Sequence, residues 1–248
     1  MAQEIKRELF KGKHAIFVVT HLCKPAIALF MESILPILDK HPDVVMAVID
    51  SRSSDDIRKY LRSIKHERIV IEYLEENIGK ARAANEFIAK YIDESNLPRT
   101  VWSMDPDIIL DPLSFDFLLD AVQHIEGRIA VMGMRYKKNN CNPEMNLWFP
   151  AKKVLGKNGR IYSINIPSFC CVAGPVLAMK GEVLSKLLKF RLFPKKFVRV
   201  YGGDDSAIYL ELKQQGYKMG YLNGTIVTHL KSGDKVAPEI TAYEAAHP

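Results

Sequence analysis

The chain has 248 residues, 48% hydrophobic and 26% charged, which suits one globular domain with a sizeable core. No run of about 18 apolar residues occurs, which excludes a membrane-spanning helix. The net charge of +6 is unevenly placed: residues 135–199 carry 14 Lys or Arg against two acids, Glu144 and Glu182, leaving 21 bases and 27 acids elsewhere, a net of −6.

The N-terminus, MAQEIKRELFKGKH, has no apolar stretch of signal-peptide type, so a cytoplasmic location is expected. AIFVV (15–19) is a first strand. Pro25 then suits a helix start, and IALFMESILPIL follows with helical apolar spacing. VVMAVID (44–50) is a second strand, and SSDDIRKYLRSI opens with capping residues and runs helically from about Asp55. RIVIEYL (68–74), IGKARAANEFIAKYI and TVWSMD (100–105) continue as strand, helix and strand. This alternation predicts an α/β fold with a mostly parallel sheet and helices on both faces. Ligands of such sheets bind beyond the carboxyl ends of the strands, where Asp50 and Asp105 lie.

The second half is less regular. IPSFCCVAGPVLAMK (166–180) reads as a strand interrupted by glycine and proline, and GEVLSKLLKF as a short amphipathic helix. DDSAIYLELKQQG (204–216) is a helix that opens with two acids and closes on Gly216. YKMGYL and TIVTHL are two short strands. Residues 1–230 form one domain in this reading, and 231–248, with turn formers and few large apolar residues, a C-terminal tail or active-site lid. The cysteines, Cys23, Cys141, Cys170 and Cys171, have no CxxC spacing and read as reduced thiols.

Two elements carry candidate chemistry. In VWSMDPDIILDP (101–112) an apolar run ends on Asp105 and Asp107, one residue apart. Asp-Pro is common turn chemistry, but two such carboxylates at a strand end can also approach one hard cation, Mg²⁺ or Mn²⁺. The loop after the first strand, Thr20-His21-Leu22-Cys23-Lys24-Pro25, holds no glycine, and no G-x-x-x-x-G-K-[ST] occurs anywhere. Neither glycine cradle for a pyrophosphate is available. Any pyrophosphate must be neutralised by a metal or by side chains.

In order and placement these features resemble the family-two glycosyltransferases of the GT-A fold. The motifs are the acid of VIDSRSSD (Asp50), ENIGKARAANEF with Asn77, Gly79, Lys80 and Asn85, the D-x-D in MDPD, the late helix in YGGDDSAIYLELKQQGYKMGYL, and His229 in VTHL. The resemblance spans roughly residues 14–230 and implies a metal-dependent, inverting transfer of one sugar from a nucleoside-diphosphate sugar, of UDP or GDP type, to a hydroxyl acceptor. It implies that Thr20 and Asp50 contact the base and ribose, with Asn77 and Gly79 in the same donor site, and that Lys80 reaches the pyrophosphate. Asp107 would be the main ligand of Mn²⁺ or Mg²⁺, with His229 as a further ligand and Asp105 bound more loosely or aimed at the ribose of the nucleotide sugar. Asp205 would be the general base, with Asp204 next to it in the catalytic pair. The family usually has Glu at the position of Asp204 and Arg at that of Glu211. The R-x-x-R-W of processive synthases is absent, which favours one sugar per acceptor.

The basic segment then faces an anionic acceptor, either DNA bearing a hydroxymethylated base or a lipid- or saccharide-linked acceptor at an anionic surface. Trp148 and Phe149 within it are candidates for stacking on a ring. A nucleotidyltransferase using the same metal site, or a non-catalytic nucleic-acid-binding module, are the alternative readings.

Overall fold

In a computed structural model, which describes residues 2–21, 24–138, 150–167, 172, 175–194, 204–232, 235–236, 242 and 245–246, the chain builds a ten-stranded sheet with helices on both faces. Strand β1 (His14–Thr20) is buried along its whole length. Ile16 and Val18 point to one face, and Ala15, Phe17 and Val19 to the other. A strand covered on both sides has to read as an unbroken apolar run, as 15–19 does. β1 pairs in parallel with β2 (Val44–Ser51) and β4 (Thr100–Met104), and β2 with β3 (Ile69–Leu74).

One core lies under α2 (Lys24–Lys40), α3 (Asp55–Ser63) and α5 (Pro112–His124). It includes Phe30, Ile34, Leu61, Trp102 and Phe115, all fully buried. The opposite core lies under α1 (Ala2–Phe10), α4 (Lys80–Tyr91) and α6 (Asp204–Gln214), where Phe10, Phe17 and Phe87 pack ring on ring. Beyond β4 the sheet turns mixed. β9 (Val176–Lys180) runs antiparallel between β4 and β6 (Ile129–Lys138), and β6 pairs in parallel with β10 (Lys218–His229). The outer edge is β8 (Ile161–Asn165) and β7 (Ala151–Leu155), both antiparallel. β5 (Ile108–Leu110) leaves the main order to pair with the end of β10.

The expected α/β domain is observed, with these differences. YKMGYL and TIVTHL form one strand, β10, whose register shifts between Leu222 and Ile226 around Gly224 at φ +86°. GEVLSKLLKF holds a π-helical turn, Val183–Leu187, followed by Lys189 and Phe190 in left-handed conformation. Of the expected strand at 166–180, only Val176–Lys180 is a strand among the described residues. Within 231–248, Lys231–Ser232 pairs antiparallel with Lys235–Val236. The four cysteines, Trp148 and Phe149 lie outside the described residues.

Glu72 of β3 ties α1 and α4 to the sheet edge. It accepts from Lys6 Nζ (2.8 Å), Lys90 Nζ (2.6 Å) and Tyr91 Oη (3.0 Å). Burial pushes its pKa up, but these donors outweigh burial and the net shift is downward. A carboxyl depressed in the folded state contributes stability that is present above its unfolded pKa and lost as pH falls through the folded value. Urea unfolding should therefore show Glu72→Gln to be less stable by about 2 kcal/mol at pH 7. The gap to the parent protein should close on acidification below the ordinary Glu range.

Candidate active site

The carboxyl ends of β1, β2 and β4 lie side by side, because Thr20 is opposite Asp50 in the ladder and Val18 is opposite Met104. Thr20 is fully buried, and its Oγ1 has no hydrogen-bond partner among the described residues. A buried hydroxyl without a partner costs free energy unless a ligand supplies one. Asp50 is also fully buried and already engaged. Its Oδ2 accepts from Arg58 Nε at 2.7 Å and its Oδ1 from the Ser53 amide at 3.0 Å. Arg58 sits on α3, one crossover away, and its guanidinium also reaches the Leu74 carbonyl. Asp50 is thus held rigidly by two neighbours that the sequence did not reveal.

Asn77 organises the loop ahead of α4. Its Oδ1 accepts from the Gly79 amide (3.1 Å) and Ser51 Oγ (3.2 Å), while Ser51 Oγ accepts from the Ile78 amide (3.2 Å). Gly79 caps α4 at φ +78°, in the left-handed region that a side chain disfavours. This turn sets the position of Lys80, the first residue of the helix.

Lys80 stands at the centre of the acidic groups. Its Nζ donates to Asp105 Oδ1 at 2.6 Å and lies 3.7 Å from Asp204 Oδ2. The Phe193 ring covers it at 5.6 Å. Burial works against its charge, but Asp105, Asp205 and Asp204 outweigh burial and push the pKa well above the usual lysine range. Phe193 is itself latched: its amide donates to Asn85 Oδ1 at 3.0 Å and its carbonyl accepts from Asn85 Nδ2 at 2.6 Å. Residues 85 and 193 are far apart in the chain, and no local signal announces the latch.

Asp105 also lies close to Asp107 and His229. One ligand atom from each of these three residues falls within 4.8 Å of the others. His229 Nε2 is 3.4 Å from Asp107 Oδ2, and the Tyr136 ring meets the imidazole edge-on at 6.0 Å. Backbone pairing brings them together: His229 is opposite Ile108, and the Leu230 amide donates to the Asp107 carbonyl at 2.8 Å. Two carboxylates and an imidazole, one carboxylate almost wholly buried, fit a divalent ion of the Mn²⁺ or Mg²⁺ class. Asp204 and Asp205 stand near Lys80 in the first turn of α6, where the helix dipole favours negative charge. Gly202-Gly203 before them lies outside the described residues.

The sequence profile described as "Glycosyl transferase family 2" matches residues 15–179, two thirds of the chain. The chain belongs to this family. This family member also resembles solved structures. A mannosyltransferase of Pyrobaculum calidifontis, in complex with GDP-Man and Mn²⁺, is 15% identical with a TM-score of 0.61, over 91% of this chain and 59% of that one. GalNAc-T7, with UDP, GalNAc and Mn²⁺, is 11% identical with a TM-score of 0.64, over 91% and 45%. TarS 1–349 of S. aureus, in complex with UDP-GlcNAc, is 13% identical with a TM-score of 0.62, over 93% and 61%. The chain therefore has the GT-A fold and spans roughly half of the length of these relatives. No curated protein matches it in sequence. Among the described residues, no helix is long and apolar enough to cross a membrane.

Proposed function

We propose that this family 2 glycosyltransferase moves one sugar from a nucleoside-diphosphate sugar to a hydroxyl group, with inversion and without processivity. The observation that carries the reading is Lys80, which pairs with Asp105 of the Asp105, Asp107 and His229 group and lies beside Asp204, with Asp205 also acting on its charge. A Mn²⁺ or Mg²⁺ ion at Asp105, Asp107 and His229 would neutralise the donor diphosphate. Thr20 Oγ1 and the fixed Asp50 take the base and ribose of a UDP- or GDP-type donor, with Asn77 and Gly79 shaping the wall. Lys80 turns from Asp105 to the diphosphate. The Asp205 carboxylate accepts the acceptor proton as the acceptor oxygen bonds to the anomeric carbon and the bond to the diphosphate breaks. Relatives solved with GDP-Man, UDP and UDP-GlcNAc support this donor class.

The acceptor in this reading is anionic, matched to the basic segment 135–199, and a hydroxymethylated base in DNA is the case we favour over a lipid- or saccharide-linked acceptor. The proposed setting is the cytoplasm, which suits cysteines without disulfide spacing. Thermal shift against UDP-, GDP-, CMP- and TDP-sugars, with and without Mn²⁺, tests the donor site. One donor should stabilise the parent protein only with Mn²⁺, and Asp107→Ala should abolish that shift. A parent protein that responds to no donor in the presence of Mn²⁺ would overturn the reading.

A further inference from the structure

Outside the donor site, Lys152 of β7, Lys213 of α6 and Lys218 of β10 converge on a cleft of about 350 Å³, with Ile166, Tyr209 and Tyr217 in its walls. Among the described lining residues there is no carboxylate. None of the three lysines makes an ion pair within the described structure, and Lys213 lies over the Tyr209 ring at 5.3 Å. Three like charges around a concave surface repel one another unless an anion joins them, and such a surface focuses its field on incoming anions. Two of these lysines lie outside the basic segment of the sequence, so the fold assembles a charge cluster that linear counting does not show.

The position of the cleft gives it a direction. Asp205, Tyr209 and Lys213 recur at every fourth residue of α6 and so share one face of the helix. At 1.5 Å per residue, Lys213 stands about 12 Å along the axis from Asp205. We propose that this cleft holds the phosphate backbone of a single-stranded or locally unpaired nucleic acid, whose hydroxyl-bearing base lies at Asp205. The proposal rests on the glycosyl-transfer reading above, because that reading makes Asp205 the end of the path. Cationic grooves interleaved with aromatic rings are how single strands are held without sequence readout. A membrane surface would instead call for a protruding face with exposed apolar side chains, whereas here the lysines ring a hollow.

The test is fluorescence anisotropy of the full chain with a labelled single-stranded oligonucleotide of about twelve nucleotides, between about 50 and 200 mM salt. The parent protein should bind with an affinity that falls as salt rises. The triple variant Lys152→Gln, Lys213→Gln, Lys218→Gln should bind at least ~10-fold more weakly, with a log–log salt slope shallower by about 2. The corresponding triple Lys→Arg variant should bind like the parent. The Mn²⁺-dependent shift with nucleotide sugar should persist in the Gln variant, so failure of the cleft is distinguishable from failure of the donor site. No oligonucleotide binding by the parent, equal binding by the Gln variant, or lysine-dependent binding to phosphatidylserine vesicles without oligonucleotide binding would each overturn the proposal.

Discussion

Asp205→Asn should lower kcat by at least ~100-fold, the range a positioned general base supplies, while donor affinity stays within about twofold. The substitution keeps the shape of the side chain and leaves a polar group in the first turn of α6, so the helix start is preserved. What is lost is the carboxylate that, in the proposed reaction, takes the acceptor proton. Asp204→Asn should behave differently. Asp204 lies 3.7 Å from Lys80, so its loss should weaken donor binding more than it slows the chemical step. Measured side by side, the two variants separate proton transfer from donor positioning. Full turnover by Asp205→Asn would move the base to another residue.

Lys80→Met should destabilise the protein by about 2–3 kcal/mol, because it removes the cation that Asp105 and Asp204 share and leaves them partly buried without compensation. The Lys80 pKa is raised in the folded state. Its contribution is therefore complete below the ordinary lysine pKa and is lost only as pH climbs through the folded value, so the defect should be constant across neutral pH. Mn²⁺ should stabilise this variant more than the parent, since a divalent ion can replace the missing positive charge among the same carboxylates. Donor KM should rise as well. A melting temperature equal to that of the parent, with no larger response to Mn²⁺, would show that the acidic cluster does not depend on Lys80.

Much of the site was legible because its elements announce themselves locally. The runs at 15–19, 44–50 and 100–104 are doubly buried strands, and Asp50 and Asp105 lie at the carboxyl ends of the second and third as expected. The start of α5 is equally legible in the sequence. Asp111 caps it by accepting from the Ser114 amide at 2.8 Å and Pro112 occupies its first turn. Asn223-Gly224 misled for the opposite reason. That dipeptide signals a tight turn between two strands, yet here the chain absorbs it as a bulge within β10, with Gly224 supplying the left-handed residue. The Arg58 clamp on Asp50, the Asn85–Phe193 latch and the lysine cleft were not legible. Each depends on which segments the sheet topology brings together, and no spacing within one segment encodes that.

The strand order also constrains how the molecule comes into being. β9 lies between β4 and β6, and β10 between β6 and β8. On a ribosome, the outer edge of β4 waits unpaired until residues 176–180 emerge, and β6 waits on one side for residues 218–229. Such non-local insertions slow folding and leave bare strand edges that invite misassembly in the meantime. His229, at the last position of β10, cannot meet Asp107 until that insertion is complete. The proposed ion site is therefore among the last parts of the sheet to be completed during synthesis. Metal binding by a growing chain would report, in real time, the moment at which the sheet closes.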